Sequence, residues 1–192
     1  MKAINLDISF RCTLECLRCA RNVYKGGKVP GHDMSVEEYT KIADFFDMVR
    51  FCGNISDPVF NPNFITFLKM NYERGIYTKV HNAATGKPLS WYKKAYEANP
   101  DAIWIFGIDG LPKDSHKYRV RQKGENLFEA LKLGNQMGIN CIWTSIIFSY
   151  NEDSMEECRK LAEENNIKLV FVKSSRWERN DPLKPLNPEN YL

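Results

Sequence analysis

The sequence of 192 residues predicts an α/β fold built on six parallel strands. Strand-like and helix-like segments alternate about six times along the chain, an order that favours parallel strands joined by right-handed helical crossovers. The hydrophobic share of 43% is large enough to form one ordinary core. We therefore expect a single domain over residues 1–175, followed over 176–192 by an irregular tail that contains Pro182, Pro185 and Pro188.

The predicted strands come in order along the chain. Apolar residues alternate with polar ones over residues 3–10, which predicts the first strand. Short apolar runs that stop at turn residues predict the later strands, over residues 48–52, 76–81, 103–108, 139–148 and 169–172. The fifth strand is the most continuously apolar, and this predicts burial on both of its faces.

Helices are predicted between these strands. The first begins at Ser35 and ends near Asp47, because Ser35 and Glu38 form a capping box in the run SVEEY. Amphipathic segments that stop at turn residues predict the later helices, over residues 63–74, 89–98, 125–137 and 153–165.

Three cysteines follow the first predicted strand within eight residues, at Cys12, Cys16 and Cys19. One loop must hold all three, so it can aim their thiols at one point, as in a metal site. The residues alone leave two interpretations open: a zinc ion with a fourth ligand, for which His32 is the nearest histidine, or an iron–sulfur cluster with one open iron. The cluster fits better, because no second C-x-x-C or H-x-x-x-H follows Cys19. Its partners should lie at the carboxyl ends of neighbouring strands, where parallel α/β folds build their sites.

Bulk composition limits the class of protein. No apolar run is long enough to cross a bilayer and the N-terminus lacks the features of a secretion signal, so we expect a cytoplasmic protein with no membrane partner. In that reducing compartment disulfides are not expected, and the scattered cysteines Cys52, Cys141 and Cys158 should pack in the core. A net charge of +3, from 27 basic and 24 acidic residues, neither demands nor excludes a nucleic-acid partner, and we expect none.

The run CTLECLRC, residues 12–19, resembles the C-x-x-x-C-x-x-C signature of the radical S-adenosylmethionine (radical SAM) enzymes. The resemblance implies that Cys12, Cys16 and Cys19 ligate a [4Fe-4S] cluster whose fourth iron chelates the amino and carboxylate groups of S-adenosylmethionine (SAM). It also implies reductive cleavage of SAM to methionine and a 5′-deoxyadenosyl radical, which abstracts a hydrogen atom from the substrate. The core of that family is a partial (β/α)6 TIM barrel, with the cluster loop after strand one, and we expect the same fold.

The segment CGNISDP after the second strand resembles the Gly-Gly-Glu-Pro motif of that family, which binds the methionine ammonium group. The resemblance implies a role in SAM binding for Gly53, Asn54, Ser56 and Asp57, with Asp57 in place of the acid. A carboxylate and free carbonyls would supply the acceptors that an ammonium group needs. The alternative is that Asp57 only precedes Pro58 in a turn.

The segment IWIFGIDGL resembles the fourth strand of the family, where a Ser-x-Asp pair often meets the ribose hydroxyls of SAM. Gly107 stands in place of the serine, and Asp109 remains as the candidate ribose ligand. An Asp-Gly pair is also an ordinary turn signal, so a purely structural role stays open.

Five further residues are singled out by the resemblance. His81 and Asn82 end the third strand, where the family often places polar residues near SAM or the substrate, although each could simply finish the strand. Ile146 and Asn151 lie in a segment that resembles the fifth strand and its helix, which flank the adenine of SAM. Arg18 stands where the family commonly has an aromatic residue, and it could balance the negative charge of a cluster or lie on the surface.

Basic residues in the fourth loop and near the C-terminal end form a further group: Lys117, Arg119, Arg121, Lys123, Lys173, Arg176, Arg179 and Lys184. If they converge over the open barrel, they would favour a carboxylate- or phosphate-bearing substrate. The alternative is that they are solvated surface charges.

The sequence most resembles the branch of the family that modifies peptides or proteins and carries a C-terminal SPASM domain. No cysteine follows Cys158, so we expect no auxiliary clusters with thiolate ligands. The expected partners are an external electron donor, a peptide or small-molecule substrate, and a partner chain that closes the barrel. Two other classes stay open: a non-catalytic Fe–S or SAM-binding partner or sensor, and a zinc-binding nucleic-acid module.

Overall fold

Six strands form one parallel sheet in the computed structural model of the chain, and each strand pairs with its neighbours in chain order. The structure describes residues 1–23, 29–174 and 180–187. The strands are β1 (Ala3–Leu6), β2 (Met48–Phe51), β3 (Tyr77–Asn82), β4 (Ile103–Gly107), β5 (Cys141–Ile146) and β6 (Lys168–Val172). Because β1 and β6 are edge strands that do not pair with each other, the sheet is open, and the fold is the expected partial (β/α)6 barrel.

Helices fill the connections between strands: α1 (Ala20–Val23), α2 (Val36–Ala43), α3 (Phe64–Glu73), α4 (Leu89–Ala98), α5 (Gly124–Gln136) and α6 (Met155–Glu164). The predicted capping box starts α2, since Ser35 Oγ accepts a hydrogen bond from Glu38 N and the Glu38 carboxylate accepts one from Ser35 N. Over the part of the chain that is described, no helix has the length and apolar character needed to span a membrane. Arg176, Arg179 and Pro188 lie outside the described residues.

The first strand is shorter than predicted, because β1 ends at Leu6 rather than at residue 10. Ile8 has already left the sheet, and its carbonyl accepts hydrogen bonds from Met34 N at 3.0 Å and from the Asn61 side chain. The alternating pattern therefore continues past the strand because Ile8 is still buried in the core. The chain turns across the carboxyl end of the sheet before it reaches the cysteines.

The helix-facing side of the sheet forms the core. Trp104 of β4 lies near its centre, with its ring centroid 5.0 Å from that of Tyr96 in α4 and 5.9 Å from that of Phe106. Phe51 of β2 packs edge-to-face on Phe64 of α3 at 5.3 Å. All five rings are buried, and such aromatic packing makes this side a rigid base for the loops that follow the strands.

The opposite, concave face of the sheet is not covered by helices. The prediction that the fifth strand is buried on both faces is therefore wrong, because residues alternate between buried and half-buried along β5. Cys141 and Trp143 face the helices, whereas Ile142, Thr144 and Ile146 face the concave side. Apolar composition alone does not distinguish a strand that faces a second packed layer from one that faces a ligand cavity.

Candidate functional site

A cavity of about 460 Å³ opens on the concave face, at the carboxyl ends of the strands. Cavities of this size commonly take small-molecule ligands. Most of the predicted site residues line it: Cys12, Cys16, Cys19, Gly53, Asn54, Ser56, Asp57, His81, Asn82 and Ile146. Asp109 and Asn151, which were also predicted, are fully buried and do not line it.

The cysteine loop, residues 11–19, is held by backbone hydrogen bonds to the segment that follows β4. Glu15 and Leu17 donate their N–H groups to the carbonyls of Val120 and Tyr118, at 3.1 and 3.3 Å. Between the last two cysteines, a backbone bond of 3.1 Å closes a turn. These contacts fix the loop at the positions between the thiols, and all three cysteines border the same cavity.

Two of the thiols, those of Cys12 and Cys16, lie in an environment that opposes their ionisation. Burial raises the pKa of Cys12 to about 12, and the nearby Asp57 carboxylate adds to the rise. Burial also raises the pKa of Cys16, although the Arg119 guanidinium opposes this rise. Cysteine ligands must lose their protons to bind a metal, so metal binding at this loop should release protons and depend on pH.

The donor set fits an iron–sulfur cluster. Soft thiolates are the ligands that such clusters use, and three of them surround one cavity. In the ranges that the structure describes, no three Cys, His, Asp or Glu side chains come close enough together to hold a single metal ion. A cluster needs no such convergence, because each cysteine binds a different iron. His32, the candidate fourth zinc ligand, contacts Glu38 at 2.9 Å between Nε2 and Oε1 and does not line the cavity.

Asp57 lies at the cavity, but its carboxylate is occupied by the protein itself. The N–H groups of Ala83 and Ala84 each donate to Oδ2 at 2.8 Å, and Asn82 Nδ2 lies 3.1 and 3.2 Å from the two oxygens. Oδ1 also accepts from Val59 N at 3.3 Å, which caps a short 3-10 helix. Burial raises the pKa of Asp57, while these hydrogen bonds act to lower it. Asp57 therefore ties the turn after β2 to the end of β3.

The turn that precedes Asp57, residues 53–56, presents its backbone to the cavity. It requires glycine at its start, because a Cβ on Gly53 would lie 2.1 Å from the Ser56 carbonyl oxygen. Asp7, just after β1, accepts hydrogen bonds from Asn54 N at 3.1 Å and from Ser56 Oγ at 3.0 Å. The shape of the turn is thus set by carboxylates on both sides of it.

Asp109 forms an ion pair with Arg119, whose guanidinium reaches the cavity. Arg119 Nε lies 2.7 Å from Asp109 Oδ2, and Ile146 N donates to Asp109 Oδ1 at 2.9 Å. Both Nε and Oδ2 are buried, and they are not aligned as a hydrogen bond. A Cβ on Gly107 would lie 2.8 Å from Arg119 Nη2. The glycine that replaces the family serine therefore makes room for the guanidinium.

Solved structures of other proteins share the fold of this chain. SuiB of Streptococcus suis, bound to S-adenosylmethionine, superposes on 96% of this chain with a TM-score of 0.76 and 15% identity. The protein anSMEcpe with bound AdoMet superposes on 95% with a TM-score of 0.76 and 14% identity. Methylornithine synthase (PylB) superposes on 90% with a TM-score of 0.66 and 15% identity. All three are radical SAM enzymes. This chain has the radical SAM fold.

The chain spans 43% of the length of SuiB and 53% of the lengths of anSMEcpe and PylB. SuiB has also been solved bound to the precursor peptide SuiA. No family model matches the sequence, and no curated protein matches it. At identities near 15%, the likeness establishes the fold but not the roles of the site residues, which depend on their own contacts.

Within the radical SAM fold, Asn151 holds the loop that follows β5. Its Oδ1 accepts from Phe148 N at 2.7 Å, and its Nδ2 donates to Ile146 O at 3.0 Å. A Cβ on Gly110 would lie 2.7 Å from the Asn151 Cβ, so the loops after β4 and β5 touch here. Ile146 lines the cavity, and Asn151 holds it from the side that faces away from the cavity.

Arg18 contacts the C-terminal segment that the structure describes, residues 180–187. Its guanidinium contacts Asp181 Oδ2 at 2.9 Å through both Nε and Nη2. The same segment joins the loop after β5, since Ser149 N donates to Leu183 O at 3.0 Å and the Glu152 carboxylate accepts from the backbone of residues 186 and 187. Arg18 therefore connects the cysteine loop to a part of the chain 163 residues away. Nothing in the local sequence predicts this partner.

The predicted basic group divides between two places. Arg119 and Lys173 line the cavity that holds the thiols, whereas Arg121 and Lys123 line a second cavity beside it. Lys117 pairs with Asp114, and Lys184 is exposed, while Arg176 and Arg179 lie outside the described residues. The group does not converge as a whole.

Sequence reasoning missed the contribution of β2 to the site. Arg50 and Cys52 both line the cavity, and Cys52, which was expected to pack in the core, is half-buried. Their i, i+2 spacing places them on the concave face, opposite the buried Val49 and Phe51. The alternation of apolar and polar residues along this strand can be read from the sequence, but it does not predict which face of the strand lines a ligand cavity.

Proposed function

We propose that this protein is a radical SAM enzyme, in which Cys12, Cys16 and Cys19 hold a [4Fe-4S] cluster beside bound SAM. The observation that carries the proposal is that all three thiols border one cavity of a fold whose solved neighbours include SAM complexes. When bound, the cluster would supply the electron that cleaves SAM to methionine and a 5′-deoxyadenosyl radical, which abstracts a hydrogen atom from the substrate.

The turn at residues 53–56 would receive the methionine ammonium through its backbone carbonyls, with Gly53, Asn54 and Ser56 at the cavity wall. Asp57 is a positioning residue in this proposal, because its oxygens already accept from the end of β3. A turn that is fixed before the ligand arrives does not lose conformational freedom on binding.

Arg119 supplies the positive charge near the thiols. It stands close enough to Cys16 to oppose the rise in the pKa of that thiol, and its guanidinium reaches the cavity while its Nε faces Asp109. A guanidinium that reaches the cavity favours an anionic ligand group, such as the carboxylate of SAM or the charge of the cluster. Asp109 holds Arg119 in place, and this is its proposed part in SAM binding.

The remaining predicted residues have proposed roles on the other walls. Ile146 supplies an apolar surface for the adenine, and Asn151 holds the carbonyl of Ile146. Asn82 supports Asp57 with its side-chain amide. His81 faces the cavity from the concave side of β3, where the substrate would lie.

The proposed substrate is a peptide or a small molecule. The peptide is supported by SuiB and anSMEcpe, which have been solved with peptides bound. An external electron donor is part of the proposal, because reductive cleavage of SAM consumes an electron that has to be delivered to the cluster. A partner chain that covers the open edge of the sheet, and a location in the cytoplasm, remain parts of the proposal.

Anaerobic reconstitution tests the function. Protein loaded with iron and sulfide should contain about four irons and, with SAM and dithionite, should release 5′-deoxyadenosine. The variant C16A should lose both the iron and the product. The matched control is C158A, since Cys158 is buried in α6 away from the cavity, and it should keep both.

Two results would support the other classes of function. Iron loading without 5′-deoxyadenosine under any reducing condition would indicate a non-catalytic Fe–S or SAM-binding protein. Stoichiometric zinc without iron, in protein purified anaerobically, would indicate the zinc-binding alternative and would end the cluster proposal.

A further inference from the structure

The concave face of the sheet has two chemically different sides. On β2 and β3 it carries the basic side chains Arg50, Lys79 and His81. On β4 and β5 it carries Ile105 and Ile146, which line the cavity from the opposite side. Because alternate residues of a strand face the same way, these two sets share the open face that the helices do not cover.

The basic residues are neighbours in space. Arg50 and Lys79 are partners in the register between β2 and β3, and His81 follows Lys79 on the same face. Arg50 and His81 both line the cavity that contains the thiols. Burial lowers the pKa of His81, and the charges of Arg50 and Lys79 lower it further.

The cationic row of Arg50, Lys79 and His81 has no acidic ion-pair partner among the residues that the structure describes. Through residues 1–23, 29–174 and 180–187, no carboxylate forms an ion pair with Arg50, Lys79 or His81. Arg50 Nη1 instead donates to the neutral Asn5 Oδ1 at 2.9 Å. The carboxylate of Asp7, farther along this face, is used by the turn at residues 53–56. Half-buried cations without counter-ions, here Arg50 and Lys79, favour an anion that enters the cavity, and His81 can donate an N–H group to the same anion.

The row is separate from the cation proposed for the SAM carboxylate. Arg119 lies between Tyr118 and Val120, whose carbonyls hold the cysteine loop, so it belongs to the thiol end of the cavity. Arg50 lies within β2, before the turn that ends it, and lines a deeper part of the concave face. Lys79 lies beside Arg50 but outside the cavity lining, with its Nζ 5.6 Å from the ring centroid of Tyr77. The apolar side continues at that depth with Ile105, which is the register partner of His81.

We propose that the cavity takes a substrate that bears a carboxylate or a phosphate, bound by Arg50 and His81 with the charge of Lys79 beside them, next to an apolar group that packs on Ile105 and Ile146. That the bound anion belongs to a substrate rests on the proposed function, whereas the anion site itself requires neither the cluster nor SAM cleavage. Arg50 contributes a planar pair of donors suited to either anion, and Lys79 contributes a point charge.

Histidine resonances provide the test, because the chain has only three histidines. Protein labelled with 13C-histidine is titrated with hexanoate, phenyl phosphate, acetate and the neutral hexanamide. We expect hexanoate or phenyl phosphate to shift the ring signals of His81 in a saturable manner, while those of the exposed His32 and His116 stay unchanged. Hexanamide should bind at least about tenfold more weakly for lack of charge. Acetate should also bind about tenfold or more weakly, because it lacks the apolar chain.

The variant R50Q should weaken binding of the better probe by about tenfold or more, and K79Q should weaken it less, because Lys79 does not line the cavity. K93Q is the matched control, since it removes an exposed charge of α4, and it should leave the binding unchanged. Circular dichroism and thermal unfolding verify that each variant is folded, and two separate variants keep the test meaningful if one of them is not. Equal binding by R50Q, K79Q and K93Q, or no movement of His81 with any anion, would overturn the proposal.

The two anionic probes distinguish a phosphate-bearing substrate from a carboxylate-bearing one. Tighter binding of phenyl phosphate indicates a phosphate-bearing substrate, and tighter binding of hexanoate indicates a carboxylate. Repeating the titration with saturating SAM separates substrate from cofactor: displacement of the probe by SAM would assign the row to SAM and overturn the inference. Anion binding without release of 5′-deoxyadenosine would leave the site in place and defeat the proposed function instead. Release of 5′-deoxyadenosine without anion binding would support the proposed function and overturn the anion site.

Discussion

Asp57 and Asp109 are both buried carboxylates that follow strands of the sheet, yet the protein satisfies them differently. Asp57 accepts hydrogen bonds from neutral donors, the backbone of Ala83 and Ala84 and the amide of Asn82. Asp109 faces a cation, Arg119, and accepts only a few hydrogen bonds beside it. The first carboxylate fastens two loops together, whereas the second holds a charged group at the cavity.

The difference teaches that a motif position does not by itself define a role. Both residues resemble SAM contacts in sequence, and both carboxylates contact groups of the protein itself. Under the proposed function each would act through what it holds: the turn at residues 53–56 for Asp57 and the guanidinium of Arg119 for Asp109. The consequences of removing each charge should therefore differ in size and in kind.

The largest effect is expected from D109N. The substitution leaves Arg119 buried without a counter-charge, and breaking such a pair costs about 3–5 kcal/mol. Urea unfolding measures the loss of free energy of unfolding. The double variant D109L/R119M, which removes both charges, should recover most of it. A double variant as unstable as D109N would show that the ion pair is not the reason.

A smaller effect is expected from D57N. The asparagine keeps the shape but turns one acceptor into a donor that faces the N–H groups of Ala83 and Ala84, at a cost of about 2–3 kcal/mol. No buried cation is left behind, so the loss should be less than that of D109N when both are measured by urea unfolding. If D57N were the more destabilising of the two, the comparison between the carboxylates would be reversed.

G107A should be destabilising by about 1–2 kcal/mol, because the added Cβ would lie 2.8 Å from Arg119 Nη2, and Asp109 holds that side chain. The same substitution should cost less in the background D109L/R119M, where the guanidinium is gone. Thermal unfolding of the four proteins gives the coupling between the two sites. Independent, additive effects would contradict the close approach.

The smallest effect is expected from R18Q, which removes a partly exposed ion pair worth within about 1 kcal/mol. The hydrogen bond from Arg18 lowers the pKa of Asp181, so this tie is present at neutral pH and is lost as the pH falls through that lowered value. Limited proteolysis should cut the C-terminal segment faster in R18Q than in the exposed control K93Q at pH 7. Equal rates would show that the contacts of Ser149 and Glu152 hold the segment without Arg18.

Much of the fold could be predicted because the evidence for it is local. The capping box that starts α2 at Val36 was read directly from the sequence, and the strands and helices differ from their predicted bounds mainly at their ends. The first strand was overestimated because Ile8 remains buried after it leaves the sheet. An apolar pattern indicates that residues are buried, but a buried residue is not always paired with a neighbouring strand.

The sequence by itself determined the order of six strand–helix units and the position of the cysteine loop after β1, because periodicity and short spacing depend on near neighbours. Only the tertiary structure decided what the charged residues do. Arg18 meets Asp181 across 163 positions and Asp57 meets Ala84 across 27, and such partners leave no local pattern. The cationic row of β2 and β3 likewise exists because two strands are paired in one particular register. Long-range packing therefore turns separate polar residues into a site.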